Sequence, residues 1–319
     1  MSRYRLLATL TGLVSFGSAL PGRCHGQAAA APEPPAAIRP NMTGAYGPWL
    51  AERVLGPGPA RMSFRTGTWP SVDAWREAAR KRLWECLAPV DLGGKPQVRV
   101  DWQGEFDGLH VERLSWQLPC GPRTEAVFLR PAASRGPLPG ILGLHDHGGN
   151  KFMGWRKIAR TDEQPWAIQA SHQANYYGGV AWANEIAKRG YAVLVHDTFP
   201  FASRRVRVAD VSPRVRGEGV DPQPGDSQAV DKYNHFAGDH ENIMEKSLLA
   251  AGTTWPGVYV VEDMRALDVL CARPEVDASR VGCAGLSGGG TDSHGQGNAA
   301  GQRHGNGFAL LNEPRAASG

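Results

Sequence analysis

Residues 280–290 read Arg-Val-Gly-Cys-Ala-Gly-Leu-Ser-Gly-Gly-Gly, a short apolar run that leads into Gly-x-Ser-x-Gly centred on Ser287. In a nucleophile elbow, a buried strand delivers a serine to a sharp turn, and the serine itself is held in a strained conformation. Gly285 and Gly289 flank this turn because a Cβ at either position would collide with neighbouring backbone. The motif predicts Ser287 as a catalytic nucleophile, and the alternative is a glycine-rich loop with a surface serine.

The segment before the motif has the helix and strand that an elbow requires. Four apolar residues recur at every third position of residues 257–272, which predicts a helix with one apolar face: Val261, Met264, Leu267 and Leu270. Pro274 ends that helix. A polar turn then leads into the apolar run at 281–284, whose length is typical of one buried strand of a parallel sheet.

A second glycine-rich segment follows another candidate strand. Residues 140–144, Gly-Ile-Leu-Gly-Leu, run straight into His-Asp-His-Gly-Gly at 145–149. In hydrolases with this elbow, one oxyanion donor is the amide after the nucleophile and the other comes from the loop after the third strand. This predicts an oxyanion hole at Gly288 and Gly149. The alternative is a metal site, because imidazole and carboxylate both bind zinc; without a further ligand cluster in the sequence, we predict no metal and no other cofactor.

Together, these segments resemble a serine hydrolase of the α/β-hydrolase fold, and more narrowly the dienelactone hydrolase and acetyl xylan esterase-like branch. The matching segments occur in the order that the fold requires: Leu144-His-Asp-His-Gly-Gly149, the strand Tyr191–Asp197, the helix with Glu262-Asp-Met-Arg265 and Asp268, Asp277–Gly282, and the elbow. The resemblance implies a mostly parallel sheet with flanking helices, and hydrolysis of an ester through a covalent acyl-enzyme on Ser287. It does not fix the ester.

The sequence departs from this family directly after Gly290. The family's acid and histidine follow the serine, but residues 291–307 contain five glycines and no apolar period, which disfavours a helix. We therefore expect a sheet that is incomplete at its C-terminal end, an aberrant tail at 291–319 caused by truncation or a frameshift, and weak or absent activity. Acid and base stay unassigned. The tail offers four substitutes, although a glycine-rich segment holds such geometry poorly: Asp292, His294, His304 and Glu313.

The amino terminus predicts export. Arg3 and Arg5 precede an apolar stretch at 6–20 that is too short to span a bilayer comfortably, and small residues follow. We expect a signal peptide at 1–30, a secreted or periplasmic protein, and no membrane contact after cleavage; the alternative is an ordinary buried or disordered N terminus. A linker rich in proline and alanine at 31–60 then precedes the hydrolase domain at 61–290.

Composition and cysteine usage set broader limits. The 319 residues, 41% hydrophobic and 21% charged with a formal net charge of +4, are ordinary for one large α/β domain. The arginines are not interleaved with aromatic residues in a recognition motif, so no nucleic-acid partner is predicted. If Cys24 leaves with the signal peptide, four cysteines remain, either in one of three pairings or as free thiols: Cys86, Cys120, Cys271 and Cys283.

Upstream segments complete the predicted sheet. Ser71 is expected to cap a helix that runs to Ala88. Strand-forming residues predict three antiparallel strands near 98–102, 114–118 and 125–129, which lead into an otherwise parallel sheet. A further helix is expected at 178–188, before the strand that begins at Tyr191. Asp197, at the end of that strand, is expected to order the loop Thr198–Ser203 rather than to act as a triad acid.

Two insertions bear on the substrate. Residues 150–177 are rich in aromatic side chains and residues 200–240 in arginines, which suits sugar rings and carboxylates respectively. The alternative is that the aromatics fill the core and the arginines face solvent. We expect a small-molecule or carbohydrate ester as the substrate. Two other functions stay open, a catalytically dead ligand-binding homologue and an exported serine peptidase on the same fold, and the oligomeric state is not fixed.

Overall fold

The computed structural model describes residues 42–56, 58–290 and 308–311. The chain divides after Arg61 into two units. The first unit contains helix α1 (Tyr46–Leu55), and the second contains the sheet. The predicted signal peptide, the first part of the predicted linker, and residues 291–307 and 312–319 of the predicted tail lie outside the described residues.

In the described part of the second unit, seven strands form one sheet in the order β1-β2-β3-β5-β4-β6-β7. The strands are β1 (Val98–Phe106), β2 (Leu109–Trp116), β3 (Thr124–Pro131), β4 (Leu138–Leu144), β5 (Ala192–His196), β6 (Val276–Gly285) and β7 (Phe308–Leu311). The helices are α2 (Val72–Leu87), α3 (Ala167–Tyr177), α4 (Trp182–Lys188), α5 (Pro213–Arg216), α6 (Ser227–Ala250) and α7 (Trp255–Cys271).

Parallel pairing lies at the centre of the sheet, where β4 is flanked by β5 and β6. β1, β2 and β3 pair antiparallel with one another, and β3 joins β5 in the same way. β7 pairs antiparallel with β6 along its backbone. The predicted antiparallel entry into the sheet is therefore confirmed, and so is the predicted α/β sheet with flanking helices.

Helices cover both faces of the central strands. All five residues of β5 are buried, and alternate side chains contribute to two separate cores, because successive residues of a strand point to opposite faces. Leu194 lies in the core that α7 covers with Leu270. Val193 lies in the core on the other face, which α4 covers with Ala187. A strand buried on both faces explains the uninterrupted apolar run in the sequence.

Local capping explains where two predicted helices begin. The Thr254 hydroxyl accepts a hydrogen bond from Gly257 N–H at 2.9 Å at the start of α7, which ends at Cys271. Ser71 Oγ accepts from Ala74 N–H at 3.1 Å at the start of α2. Side-chain oxygens at this position satisfy N–H groups that have no partner within the helix. Both predicted helices are confirmed within two residues.

The predicted bounds of β2 were wrong. The strand begins at Leu109 rather than near 114, because Asp107 and Gly108 form a two-residue turn with φ of 53° and 75°. Positive φ at both central residues matches the right-handed twist of the flanking strands, and Asp-Gly favours it. The Asp-Gly pair was the sequence signal for this hairpin.

The predicted helix at 178–188 is shorter in the structure. It begins at Trp182, because Gly178 and Gly179 adopt positive φ of 61° and 81° and separate α4 from α3. Helix α3 escaped prediction since its buried side chains are polar, Gln169, His172 and Gln173, and produce no apolar period.

The two insertions fold together into a third core. Phe152 and Met153 of the first insertion pack with Val230, Tyr233 and Phe236 of α6, a helix of 24 residues. Of the aromatic residues of the first insertion, Phe152 and Trp155 are buried, as the alternative interpretation held, whereas Tyr176 is exposed. In the part of the chain that the structure describes, no disulfide joins Cys86, Cys120, Cys271 or Cys283. None of the described helices is both long enough and apolar enough to cross a bilayer.

Candidate active site

Ser287 occupies a sharp turn directly after β6. The strand ends at Gly285, and Ser287 has a φ of 56°, in the left-handed region that residues other than glycine rarely adopt. Such a conformation costs on the order of 1–3 kcal/mol and persists only where the surroundings enforce it. The strained serine that the sequence motif predicts is therefore present in this turn.

Two glycines let the turn close. A Cβ on Gly285 would overlap the carbonyl carbon of Gly289, and a Cβ on Gly289 would overlap the carbonyl oxygen of Leu144. The backbone of the turn thus packs against itself and against the end of β4. This close approach is the reason for glycine at both flanking positions.

Sheet register brings the loop at 145–149 beside Ser287. Leu144, the last residue of β4, pairs with Gly285, the last residue of β6. Because the strands are parallel, the segments that follow them leave the same edge of the sheet. A Cβ on Gly288 would lie 3.1 Å from His147 N and 3.4 Å from His147 Cβ. His147 is therefore the loop residue whose backbone lies against Gly288.

The amide of Gly149 has another partner. Gly149 N–H donates to His147 Nδ1 at 3.1 Å, and Gly149 has a positive φ of 63°. The sequence predicted Gly149 as an oxyanion donor because the loop supplies one, but glycine content alone does not distinguish one loop amide from another. His147 N, rather than Gly149 N, is the loop nitrogen found next to Gly288.

The His147 side chain belongs to a charged cluster with Lys151 and Glu241. Its Nε2 lies 2.6 Å from Glu241 Oε1 and 3.2 Å from Lys151 Nζ, and Lys151 also contacts Glu241 directly. Since Nδ1 accepts the Gly149 N–H, the ring proton resides on Nε2 and is donated to Glu241. Burial lowers the pKa of His147 to about 4, helped by the charges of Lys151 and Lys157. The imidazole is thus neutral at pH 7.

Two aromatic side chains form an apolar wall beside the loop. The Phe201 ring meets His147 edge-on, with ring centroids 5.5 Å apart, and meets His145 at 5.0 Å. Trp255, at the start of α7, lies 6.1 Å from the His147 ring and 5.5 Å from Lys151 Nζ. Apolar side chains at this point exclude water and strengthen the electrostatic interactions near the loop.

Asp146 anchors the loop on its other side. Its carboxylate is buried and accepts hydrogen bonds from Tyr177 OH at 2.5 Å and from His172 Nε2 at 3.2 Å. Burial alone would raise the pKa of Asp146, but the His172 hydrogen bond, the Lys157 charge and the Tyr177 hydrogen bond hold it below its usual range. The carboxylate therefore stays ionised and fixes the loop to α3.

The His-Asp-His run does not converge on a metal position. His145 Nδ1 lies 3.1 Å from Asp146 O, while His147 and Asp146 bond to Glu241 and Tyr177. Over residues 42–56 and 58–290, the structure contains no group of three or more histidine, cysteine, aspartate or glutamate side chains that could hold a metal ion.

Asp197 orders the loop after β5, as the sequence predicted. Its Oδ1 accepts Trp155 N–H at 2.8 Å and its Oδ2 accepts Ser203 N–H at 3.1 Å. Burial raises the pKa of Asp197 to about 6. In the same loop, Arg204 is buried with its Nη2 2.5 Å from Glu262 Oε1. Arg204 therefore stabilises the fold, and its guanidinium group is not accessible to a ligand.

The candidate triad substitutes Asp292, His294, His304 and Glu313 lie outside the described residues. Four described histidines near the end of the sheet each lie against another group: His145, His147, His172 and His196. The acid and the base for Ser287 stay unassigned.

Comparison with known proteins places this geometry on a known fold. No protein-family profile matches the chain. YtaP of Bacillus subtilis (strain 168), provisionally classed as a hydrolase, is 24% identical over 217 residues, which cover 67% of this chain and 57% of YtaP. A crystal structure from Bacteroides fragilis NCTC 9343, provisionally classed as an acetyl xylan esterase, gives a TM-score of 0.50 at 18% identity and covers 75% of this chain and 53% of that one.

A glucuronoyl esterase from Solibacter usitatus gives a TM-score of 0.43 at 18% identity, over 71% of this chain and 56% of that one. The chain thus spans little more than half the length of the relatives it matches. The similarity to the Bacteroides structure shows the α/β-hydrolase fold, and confirms the fold that the sequence resemblance implied.

Proposed function

We propose that the protein is a carboxylic-ester hydrolase that forms an acyl-enzyme on Ser287. The observation that carries this proposal is the positive φ of Ser287 directly after β6, in a turn where the neighbouring Gly288 lies next to the backbone nitrogen of His147. An α/β-hydrolase fold places its nucleophile at such a turn. The names of the similar proteins, a hydrolase and an acetyl xylan esterase, support the reaction class.

In the proposed reaction, Ser287 Oγ attacks the carbonyl carbon of the ester and forms a tetrahedral intermediate. Its oxyanion accepts hydrogen bonds from Gly288 N–H and, by the geometry above, from His147 N–H. The intermediate expels the alcohol and leaves the acyl group on Ser287, and water then releases the acid. The proton of Oγ passes to a base, which then gives it to the departing alcohol; the described residues leave that base unassigned.

We propose a small or carbohydrate ester as the substrate. Trp255, which is half-buried, stands beside His147, and an aromatic face suits both an acyl chain and a sugar ring. Acetylated xylo-oligosaccharides are the first carbohydrate esters to assay, since the Bacteroides relative is classed with acetyl xylan esterases.

Export is a separate part of the proposal. It is supported by Arg3 and Arg5, which precede the apolar stretch at 6–20. N-terminal sequencing of protein recovered from the periplasm or medium of a bacterial host tests it: a mature start near residue 31 supports export, and an uncleaved cytoplasmic product contradicts it.

Reaction with a fluorophosphonate probe tests the nucleophile. We expect one adduct by intact mass, lost in Ser287→Ala and retained in Ser247→Ala, a matched change at an exposed serine of α6. Labelled protein is then offered p-nitrophenyl acetate, an acetylated xylo-oligosaccharide and a peptide amide. Turnover of the amide in preference to the esters would favour a peptidase, and a folded protein that resists the probe would contradict the proposal and favour a ligand-binding role.

A further inference from the structure

Lys157 is a buried cation directly beneath the loop at 145–149, which we call the oxyanion loop after its part in the proposed reaction. Its side chain is fully buried, and its ammonium group donates to Asp146 O at 2.6 Å and to His147 O at 2.9 Å. The ammonium nitrogen also lies 4.3 Å from the centre of the Phe201 ring. A lysine is seldom fully buried unless its charge is paired, and here two consecutive peptide carbonyls satisfy it.

The bond to Asp146 O determines where the His147 amide points. In a trans peptide the C=O of one residue and the N–H of the next lie in one plane and point in opposite directions. Since Asp146 O points at Lys157, His147 N–H must point away from Lys157. The backbone nitrogen of His147 is also the atom that lies against Gly288. The cation and the proposed position of the oxyanion thus lie at opposite edges of one peptide group, in line with its C=O and N–H bonds.

A separate set of contacts holds Lys157 itself. It ends the short turn Trp155–Lys157, in which Lys157 N–H donates to Gly154 O at 2.9 Å. Trp155 N–H donates to the buried Asp197 Oδ1 at 2.8 Å. A Cβ on Gly154 would overlap that same Asp197 oxygen. Asp197, at the end of β5, therefore fixes the turn from which Lys157 reaches the loop after β4.

We propose that Lys157 is a positioning residue that aims His147 N–H into the oxyanion hole of Ser287. This inference rests on the proposed function. A donor held in advance costs no reorganisation when the oxyanion forms. A charged hydrogen bond to the carbonyl also polarises the peptide, which makes its N–H a stronger donor. Lys157 touches no reacting atom and acts through the peptide that joins Asp146 to His147.

The protonation of Lys157 gives this role a pH signature. The groups that face it are the carboxylates of Asp146 and Asp197, the cation of Lys151, and the imidazoles of His145 and His147. Burial lowers the pKa of Lys157 to about 7, opposed by Asp146 and assisted by Lys151. The cation is therefore lost as the pH rises through 7, and the hydrogen bonds that orient the loop weaken.

The test compares Lys157→Met, Lys157→Arg and the matched surface variant Lys188→Met, whose lysine pairs with Asp107 and Glu185. The rate constant for fluorophosphonate labelling of Ser287 is measured from pH 5.5 to 9, together with crystal structures. We expect Lys157→Met to label on the order of 10²-fold more slowly, as when an oxyanion donor is lost. Lys157→Arg should recover part of the labelling rate, and Lys188→Met should label at the wild-type rate. In the crystal structure of Lys157→Met, we expect the peptide that joins Asp146 to His147 to have a changed orientation.

The pH profile separates positioning from simple stability. The wild-type labelling rate should fall relative to that of Lys157→Arg as the pH rises through 7, because only the arginine stays charged. If Lys157→Met does not fold, Lys157→Gln replaces it: its amide still donates but does not titrate, so its labelling rate should lack the fall through pH 7, and a retained fall would overturn the role of Lys157. A folded Lys157→Met with an unchanged loop and wild-type labelling overturns that role as well. If wild-type protein takes no probe, the proposed function fails, and the loop orientation in the two crystal structures still decides whether Lys157 aims the amide.

Discussion

The carbonyl oxygen of Leu144 occupies the space where a side chain on Gly289 would begin. This contact joins the end of β4 to the turn that carries Ser287, so the proposed nucleophile and the loop at 145–149 share one tightly packed backbone junction. The neighbouring Gly290 is different, since a Cβ there would meet Gly285 O at an ordinary 3.6 Å.

We therefore expect Gly289→Ala to lower the free energy of unfolding by about 1–3 kcal/mol, as overpacking does, and to abolish probe labelling because the turn must shift. Gly290→Ala is the matched control and should retain both. Urea unfolding and the labelling rate measure the two effects. Equal stability and labelling in the two alanine variants would contradict the tight junction.

The positive φ of Ser287 predicts that the wild-type residue is not the most stable one at its position. Ser287→Ala keeps a Cβ in the left-handed conformation, whereas Ser287→Gly removes it. Both variants lack the hydroxyl, so their difference reports the strain of the alanine variant, reduced by the extra chain entropy that glycine loses on folding. We expect the free energy of unfolding of the glycine variant to exceed that of the alanine variant by about 1 kcal/mol, as measured by urea unfolding. A glycine variant that is less stable than the alanine variant would contradict a strained turn.

Asp197 predicts a pH dependence of stability. Its pKa, raised by burial to about 6, lies above the usual aspartate value of about 3.9, so the folded state binds this proton more tightly than the unfolded state. The contribution of the Asp197 proton to the free energy of unfolding is fully present below about pH 4 and is lost as the pH rises through 6. Relative to Asp197→Asn, the wild-type unfolding free energy should therefore decrease between pH 4 and 7. A difference that is constant or grows with pH would contradict the assignment.

The buried ion pair of Arg204 and Glu262 predicts strong coupling. Arg204 Nη1 also donates to Cys120 O at 2.9 Å, and Glu262 Oε2 accepts Phe199 N–H at 2.8 Å. Glu262→Gln leaves a buried cation unpaired and should destabilise the protein by about 3–5 kcal/mol. Adding Arg204→Met should then restore part of the loss.

Denaturant unfolding of the four combinations of these two changes measures the coupling between Arg204 and Glu262. Glu85→Gln, which breaks the exposed pair with Arg82, is the control and should have no measurable effect. Additive losses for Arg204 and Glu262 would show that they act independently.

Local signals explain what the sequence could predict. The elbow depends on residues that are close together in the chain. Its turn is specified by the local pattern Gly-x-Ser-x-Gly, which here comprises Gly285, Ser287 and Gly289. The predicted helix at 257–272 and the cap at Ser71 are equally local. The missed hairpin was local too, since Asp107-Gly108 is a strong turn signal.

The surroundings of the site were not predictable in the same way. His147 and Glu241 lie on segments far apart in the sequence. No sequence pattern around either residue predicts that the two are in contact. Buried Lys157 looks like a surface residue in the sequence, because lysine is normally exposed. Its hydrogen bonds to the carbonyls of Asp146 and His147 exist only in the folded chain.

Parallel pairing of β4 with β6 has a consequence for synthesis of the chain. Gly140 pairs with Val281, so about 140 further residues must be translated before that edge of β4 is covered, roughly 7 to 28 s at ordinary rates. During this interval an apolar strand presents unpaired N–H and C=O groups, although β5 arrives sooner on its other side. Nascent chains would therefore associate through the β6-facing edge of β4, and a chaperone that shields this strand would raise the yield of folded protein.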